Sequence, residues 1–206
     1  MSVHISAHPL IQHKLARLRD ARTPPPEFRE LVAAISRGLF FEATADMKLR
    51  DERIVTPLTT TTCRVIAEKI GLIPVLRAGL GMADAMLQAL PEASVWHIGL
   101  YRDHETLKPV TYYNKLPARP EMSLALVLDP MLATGGSAIA AIDILKGAGI
   151  TQVKFIGIIG APEGCAALAK AHPDVPIHLA ARDERLNEVG YILPGLGDAG
   201  DRQFAT

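Results

Sequence analysis

Residues 124–137 read Leu124-Ala125-Leu126-Val127-Leu128-Asp129-Pro130-Met131-Leu132-Ala133-Thr134-Gly135-Gly136-Ser137. An unbroken apolar run of strand length is the pattern of a strand covered on both faces, and the residues from 137 to 145 turn to helical spacing. Strand, glycine-containing turn and helix in that order place a loop where open parallel sheets bind their ligands, beyond the carboxyl end of a strand. Gly135 and Gly136 let the backbone approach an anion, Thr134 and Ser137 supply hydroxyls, and the helix start aims N–H groups and a positive dipole end at it. Asp129, at the strand end, is placed to accept hydrogen bonds from sugar hydroxyls.

Working outward, residues 72–76, 95–100, 153–159 and 177–180 repeat the short apolar run, and residues 63–69, 82–90 and 165–171 read as intervening helices. Alternation of this kind predicts an α/β fold with a central, mostly parallel sheet flanked by helices. Residues 1–45 read as helical. Leu10, Ile11, Leu15 and Leu18 recur at helical spacing behind Pro9. Thr23 is read as the N-cap of a second helix that tolerates Pro24, Pro25 and Pro26 in its opening turn and carries Phe28, Leu31, Val32, Ile35 and Leu39 on one face. Two segments break the scheme. Residues 101–120 are polar and too long for an ordinary connection, which suggests a hairpin or mobile flap over a site. Residues 182–206 are apolar yet without a period, as expected of a binding hood.

The chain has 206 residues, 49% hydrophobic, with 22 Lys+Arg against 22 Asp+Glu. That length suits one domain, and so apolar a chain without net charge can offset its ordering entropy by burial. Charge balance argues against a dedicated nucleic-acid binder, so any anion site is local. Cys63 and Cys165 form no disulfide framework and read as core thiols of a reduced compartment. The longest stretch free of Asp, Glu, Lys and Arg is thirteen residues, short of a bilayer span, and residues 1–13 lack a leader pattern; the expectation is a cytoplasmic protein. The seven histidines read as surface residues, and no metal ligand is assigned. Asp143 reads as solvent-facing, and Asp183, Glu184 and Arg185 as a local salt-bridge set.

Residues 127–137 resemble the phosphoribosyl-pyrophosphate (PRPP) motif of the type I phosphoribosyltransferases. The Asp-Pro start departs from the acidic pair common there and matches the version of the uracil phosphoribosyltransferases. Val75-Leu76-Arg77-Ala78-Gly79-Leu80 resembles that family's pyrophosphate loop, Tyr112-Tyr113-Asn114-Lys115-Leu116-Pro117 its flap, and Gly190-Tyr191-Ile192-Leu193-Pro194-Gly195-Leu196-Gly197-Asp198-Ala199-Gly200-Asp201-Arg202 its uracil-binding tail. The resemblance implies a type I phosphoribosyltransferase fold with a C-terminal hood and a mobile flap, and transfer of phosphoribose from PRPP to uracil, giving UMP and pyrophosphate.

The resemblance implies PRPP contacts from Arg77, Arg102, Asp198 and the whole loop Asp129, Pro130, Met131, Leu132, Ala133, Thr134, Gly135, Gly136 and Ser137. It assigns uracil to Ile192, Gly197, Asp198 and Ala199, and catalytic parts to Asp198 and Arg102. An arginine is also a fixed bidentate donor for phosphate oxygens on physical grounds. Backbone donors and acceptors of a glycine-rich tail can read the acceptor, donor, acceptor edge of uracil, against which cytosine would leave a donor unpaired. Gly195-Leu196-Gly197-Asp198-Ala199-Gly200 also spells GxGxxG, but it lacks the strand-to-helix context of a dinucleotide fingerprint. Mg²⁺ is implied, bound mainly through pyrophosphate and water. A GTP effector, as in some relatives, and a homodimer or higher homo-oligomer built on the helical N-terminal region are implied as well.

Three other readings compete. A nucleotide- and RNA-binding regulator on the same fold is disfavoured by the absence of a basic stripe. A P-loop uridine kinase is disfavoured by the lack of GxxxxGK[ST]. An orotate or purine transferase shares the PRPP loop and differs in the hood.

Overall fold

The computed structural model describes residues 2–102, 109–117 and 120–206, and only the backbone of residues 100–102 and 109–111. The chain opens with β1 (Val3–Ile5), α1 (Pro9–Arg19) and α2 (Pro25–Ala43), then a hairpin of β2 (Leu49–Val55) and β3 (Thr60–Ile66). There follow β4 (Ile70–Leu76), α3 (Leu80–Ala89), β5 (Ser94–Val95), β6 (Ile98–Arg102), β7 (Pro109–Asn114), β8 (Leu124–Leu128), β9 (Met131–Leu132) and α4 (Gly136–Gly147). The last part comprises β10 (Val153–Gly160), α5 (Pro162–Ala171), β11 (Ile177–Arg182), β12 (Arg185–Leu186), β13 (Ile192–Leu193) and α6 (Ala199–Phe204).

The main sheet runs β1-β11-β10-β8-β4-β6-β7, parallel throughout except for β7, which pairs antiparallel with β6. Its central strands are apolar on both faces because both faces are covered. On β8, Leu124, Leu126 and Leu128 enter the core shared with α1, α2 and α3, while Ala125 and Val127 enter the core shared with α4 and α5. On β4, Leu72 faces the first core and Ile73 and Val75 the second. Two-sided burial therefore erases from the sequence the alternation that the side chains still obey in space.

The chain leaves β4 through α3 toward β6, and leaves β8 through α4 toward β10, on the other side of the sheet. The switch point lies between β4 and β8, and the crevice for a ligand opens beyond their carboxyl ends.

Several expectations need correction. Residues 63–69 are not a helix: Thr60–Ile66 is a strand pairing with β2, since a run of threonines with Val65 and Ile66 is stiff at χ1 and favours extended backbone. Thr56 closes its turn, accepting from Leu58 N at 3.2 Å and Thr59 N at 3.1 Å. Cys63, on this arm, is exposed rather than a core thiol; Cys165 is buried as expected. Residues 95–100 split into β5 and β6. α2 takes Pro24, not Thr23, at its N-cap, and the Thr23 hydroxyl instead donates to Arg17 O at 2.7 Å. His172 and His178 are buried, not on the surface. Asp143 is solvent-facing, with 65% of its side chain exposed. Residues 103–108 and 118–119 of the expected flap lie outside the described residues. No helix among the described residues is long and apolar enough to cross a membrane.

Candidate active site

Asp129 follows β8 directly, at the switch point. Its Oδ1 accepts from Met131 N at 3.2 Å, bending the chain back so that β9 can pair with the end of β10. Burial pushes the Asp129 carboxyl up to about 7; the Met131 N–H opposes the shift and the charge of Asp198 adds to it. Pro130 and Leu132 serve the frame: Pro130 O accepts from Ile158 N and Ile159 N, both at 3.0 Å, and the Leu132 side chain is sealed in the core. Gly135, the N-cap of α4, has φ of 84°, a left-handed backbone that glycine adopts without steric cost. No side chain caps α4, and its first turn lines a small cavity of about 70 Å³ together with Asp129 and residues 131–135.

Arg77 follows β4 through a cis peptide bond with Leu76. Its Nη2 donates to Asp201 Oδ1 at 3.1 Å, and both partners are half exposed. Two residues on, a Cβ at Gly79 would stand 2.4 Å from Leu128 O, so a glycine is required where the loop after β4 passes the end of β8. This close passage sets the Arg77 loop against the Asp129 loop. Arg102 is the last residue of β6, opposite Pro109 in register; its side chain lies outside the described residues.

The tail returns over this crevice. β12 and β13 form a short antiparallel pair, the Leu193-Pro194 bond is cis, and Gly195 and Gly197 take positive φ. Asp198 caps α6, accepting from Asp201 N at 2.9 Å. Ile192 and Ala199 are buried; of the four residues expected at uracil, Asp198 and Ala199 line the cavity beside the tail and Ile192 and Gly197 do not. A cavity of about 810 Å³ results, lined by Arg77, Ala78, Asp129, Met131, residues 189–191 and residues 198–200. It brings Arg77, Asp129, Met131, Asp198 and Ala199 together. Thr134 to Ser137 line the smaller cavity, which shares Asp129 and Met131 with it.

Comparisons with known proteins bear on the family and the fold. The profile described as uracil phosphoribosyltransferase matches residues 5–206. The chain belongs to the uracil phosphoribosyltransferase family. Within that family it is 61% identical over 204 residues to the uracil phosphoribosyltransferase of Roseiflexus castenholzii, covering 99% of this chain and 98% of the relative. The structure of the AQ2163 protein from Aquifex aeolicus superposes with a TM-score of 0.94 at 36% identity, covering 99% of this chain and 98% of that one. An adenine phosphoribosyl transferase from Trypanosoma brucei shares the fold, with a TM-score of 0.58 at 13% identity over 87% of this chain and 82% of its own. The fold is that of the type I phosphoribosyltransferases, with the α/β architecture expected of the sequence.

Other residues hold the uracil phosphoribosyltransferase tail in place, and the sequence does not announce them. Asp183 is no member of a local salt-bridge set: it is buried and pairs with Arg19 of α1, Nη1 to Oδ2 at 2.7 Å. Arg202 donates to Leu196 O at 2.8 Å, Leu18 O at 2.9 Å and Asp20 O at 2.6 Å, with its guanidinium 4.4 Å from the Phe28 ring centre. Apart from the bond of Arg202 to Leu196 O, these pairings join positions too far apart in the chain for any local pattern to reveal. Val189 and Tyr191, at the cavity mouth, were legible only as part of the tail.

Proposed function

We infer that this chain transfers the 5-phosphoribosyl group from PRPP to uracil, giving UMP and pyrophosphate, as a step of pyrimidine salvage. The observation that carries the reading is one cavity taking in Asp129 of the PRPP motif, Arg77 of the pyrophosphate loop, and Asp198 and Ala199 of the tail.

In this reading the 5′-phosphate rests on residues 134–137 at the start of α4, where hydroxyls and N–H groups converge. Asp129 accepts from the ribose hydroxyls, which favours its ionised form. Uracil N1 attacks C1′ as the bond from C1′ to the pyrophosphate oxygen breaks. Arg77 and Arg102 meet negative charge that grows on the departing pyrophosphate, so they act more strongly in the transition state than before it. The backbone at Ile192, Gly197, Asp198 and Ala199 reads the uracil edge. Asp198 orients the acceptor of the N1 proton.

A hydrated Mg²⁺ on the pyrophosphate fits this donor set, because two carboxylates, Asp129 and Asp198, line one cavity with Arg77. Asp129 and Asp198 would hold it through water, where it would offset pyrophosphate charge. Among the described residues no group of three or more His, Cys, Asp or Glu could hold a metal by itself. GTP as an allosteric effector and a homodimer or higher homo-oligomer rest on the family likeness, and a cytoplasmic location on two cysteines that form no disulfide framework.

The test is pyrophosphate release from PRPP with Mg²⁺, run in parallel with uracil, cytosine, orotate and hypoxanthine, on the wild type and Asp129→Asn. Turnover with uracil alone, lost in the variant, is the expected result. PRPP binding with no base consumed overturns it in favour of a regulator.

A further inference from the structure

α6 carries one almost fully buried polar side chain, Gln203, with 1% of the residue exposed. Its Nε2 donates to two carbonyl oxygens, Ala78 O and Ala199 O, each at 3.0 Å. Both partners are acceptors, so the amide orientation is fixed by the bonds themselves. Ala78 directly follows Arg77 in the pyrophosphate loop; Ala199 directly follows Asp198 in the tail. The seat for this amide is cut in α3: a Cβ at Gly81 would lie 2.4 Å from Gln203 Oε1. From the other side, Arg29 of α2 donates to Gln203 O at 2.7 Å. Gln203 itself does not line the cavity.

We propose that Gln203 is a positioning residue that ties the pyrophosphate loop to the uracil loop, so that PRPP binding pre-forms the uracil site. The proposal deepens the transferase reading above and rests on it. One –NH₂ group holds the backbone beside Arg77 and the backbone beside Asp198, so neither loop shifts without the other. Ordering one loop on its ligand then lowers the cost of ordering the other. The coupling is reciprocal: uracil tightens PRPP by the factor by which PRPP tightens uracil.

Two-substrate steady-state kinetics on the full chain measures that factor as the dependence of the apparent uracil KM on PRPP concentration. Gln203→Met keeps the length of the side chain and removes both donors. It is expected to cut the coupling by about thirtyfold, the fold-change that follows from two ordinary hydrogen bonds, with kcat at saturation changed far less. Gly81→Ala keeps Gln203 but crowds its amide, and is expected to weaken the coupling in the same direction. A merely structural role would lower thermal stability and the active fraction, hence apparent kcat, and leave both KM values and their coupling as in the wild type; that result overturns the proposal. If Gln203→Met does not fold, Gly81→Ala decides, and wild-type coupling in it overturns the proposal. Absence of wild-type turnover overturns the transferase reading and this inference with it, whereas wild-type turnover with unaltered coupling in the variants overturns the inference alone.

Discussion

Arg19 and Asp183, 164 residues apart in the chain, meet as a two-point ion pair, with Nη1 to Oδ2 at 2.7 Å and Nη2 to Oδ1 at 2.5 Å. The same two side chains also clasp Gly195, whose N–H donates to Asp183 Oδ2 at 2.9 Å and whose carbonyl accepts from Arg19 Nη1 at 2.8 Å. The tail that forms one wall of the site is thus pinned to the end of the first helix.

Arg19→Met is expected to cost about 3 kcal/mol, because it leaves a buried carboxylate with a backbone N–H but no counter-charge. Urea unfolding should show a lower midpoint with an unchanged slope. Asp183→Asn added to Arg19→Met should cost less than the sum of the two single changes, since no charge then remains unpaired. An unshifted midpoint in Arg19→Met would show that the pair holds nothing.

The Asp129 carboxyl, raised to about 7 in the folded protein against an ordinary value near 3.8, makes stability depend on pH in a definite direction. Between those values the folded state binds more protons than the unfolded state. The ligand-free protein should be most stable below about pH 4 as far as this group is concerned, and lose that contribution as pH rises through about 7. Asp129→Asn should flatten this part of the curve and stabilise the protein at pH 8. Chemical unfolding of both proteins from pH 5 to pH 8 checks it, with parallel curves as the failing outcome.

The two thiols should separate cleanly. Cys63 stands exposed on the β2–β3 arm, while Cys165 is buried and burial raises its pKa. A thiol reagent at pH 8 should label one equivalent of native protein quickly and the second only on unfolding, since the thiolate is the reacting form. Cys63→Ser should abolish the fast phase.

Much of the frame was legible because it is local. The strand-loop-helix of residues 124–137, the apolar runs and the helical N-terminal faces each carry their signal within a dozen residues. The arm at 49–66 was missed because its exposed threonines and charges bury nothing and so leave no apolar period; its β-branched stiffness was the one available sign. In the site, Asp129, Arg77 and Asp198 could be found because each sits in a glycine-bearing loop next to a strand or helix end. Arg19, Asp183, Arg202 and Gln203 could not, because they bond to main-chain groups that only the fold brings near. A buried Arg–Asp pair leaves no trace in sequence when its members stand in different thirds of the chain.

Gly79 gives the sharpest test of how the Arg77 loop and the Asp129 loop are set against each other. A methyl group there would stand 2.4 Å from Leu128 O and 2.9 Å from both Val75 N and Val75 O, all backbone atoms that cannot swing aside as a flexible side chain would. Leu128 ends the central strand, one residue before Asp129, so the clash can be relieved only by moving the Arg77 loop away from the Asp129 loop or by displacing the ends of β4 and β8 themselves. Gly79→Ala is therefore expected to destabilise by about 2 kcal/mol, in the range of overpacked sites, and to raise the KM for PRPP more than that for uracil. Gly147→Ala, on the last residue of α4 where a Cβ meets nothing within 4 Å, is the matched control and should be neutral or slightly stabilising. Equal stability and equal PRPP KM in the two variants would mean that the loops have room to separate, and that the close passage at Gly79 does not set the spacing of the site.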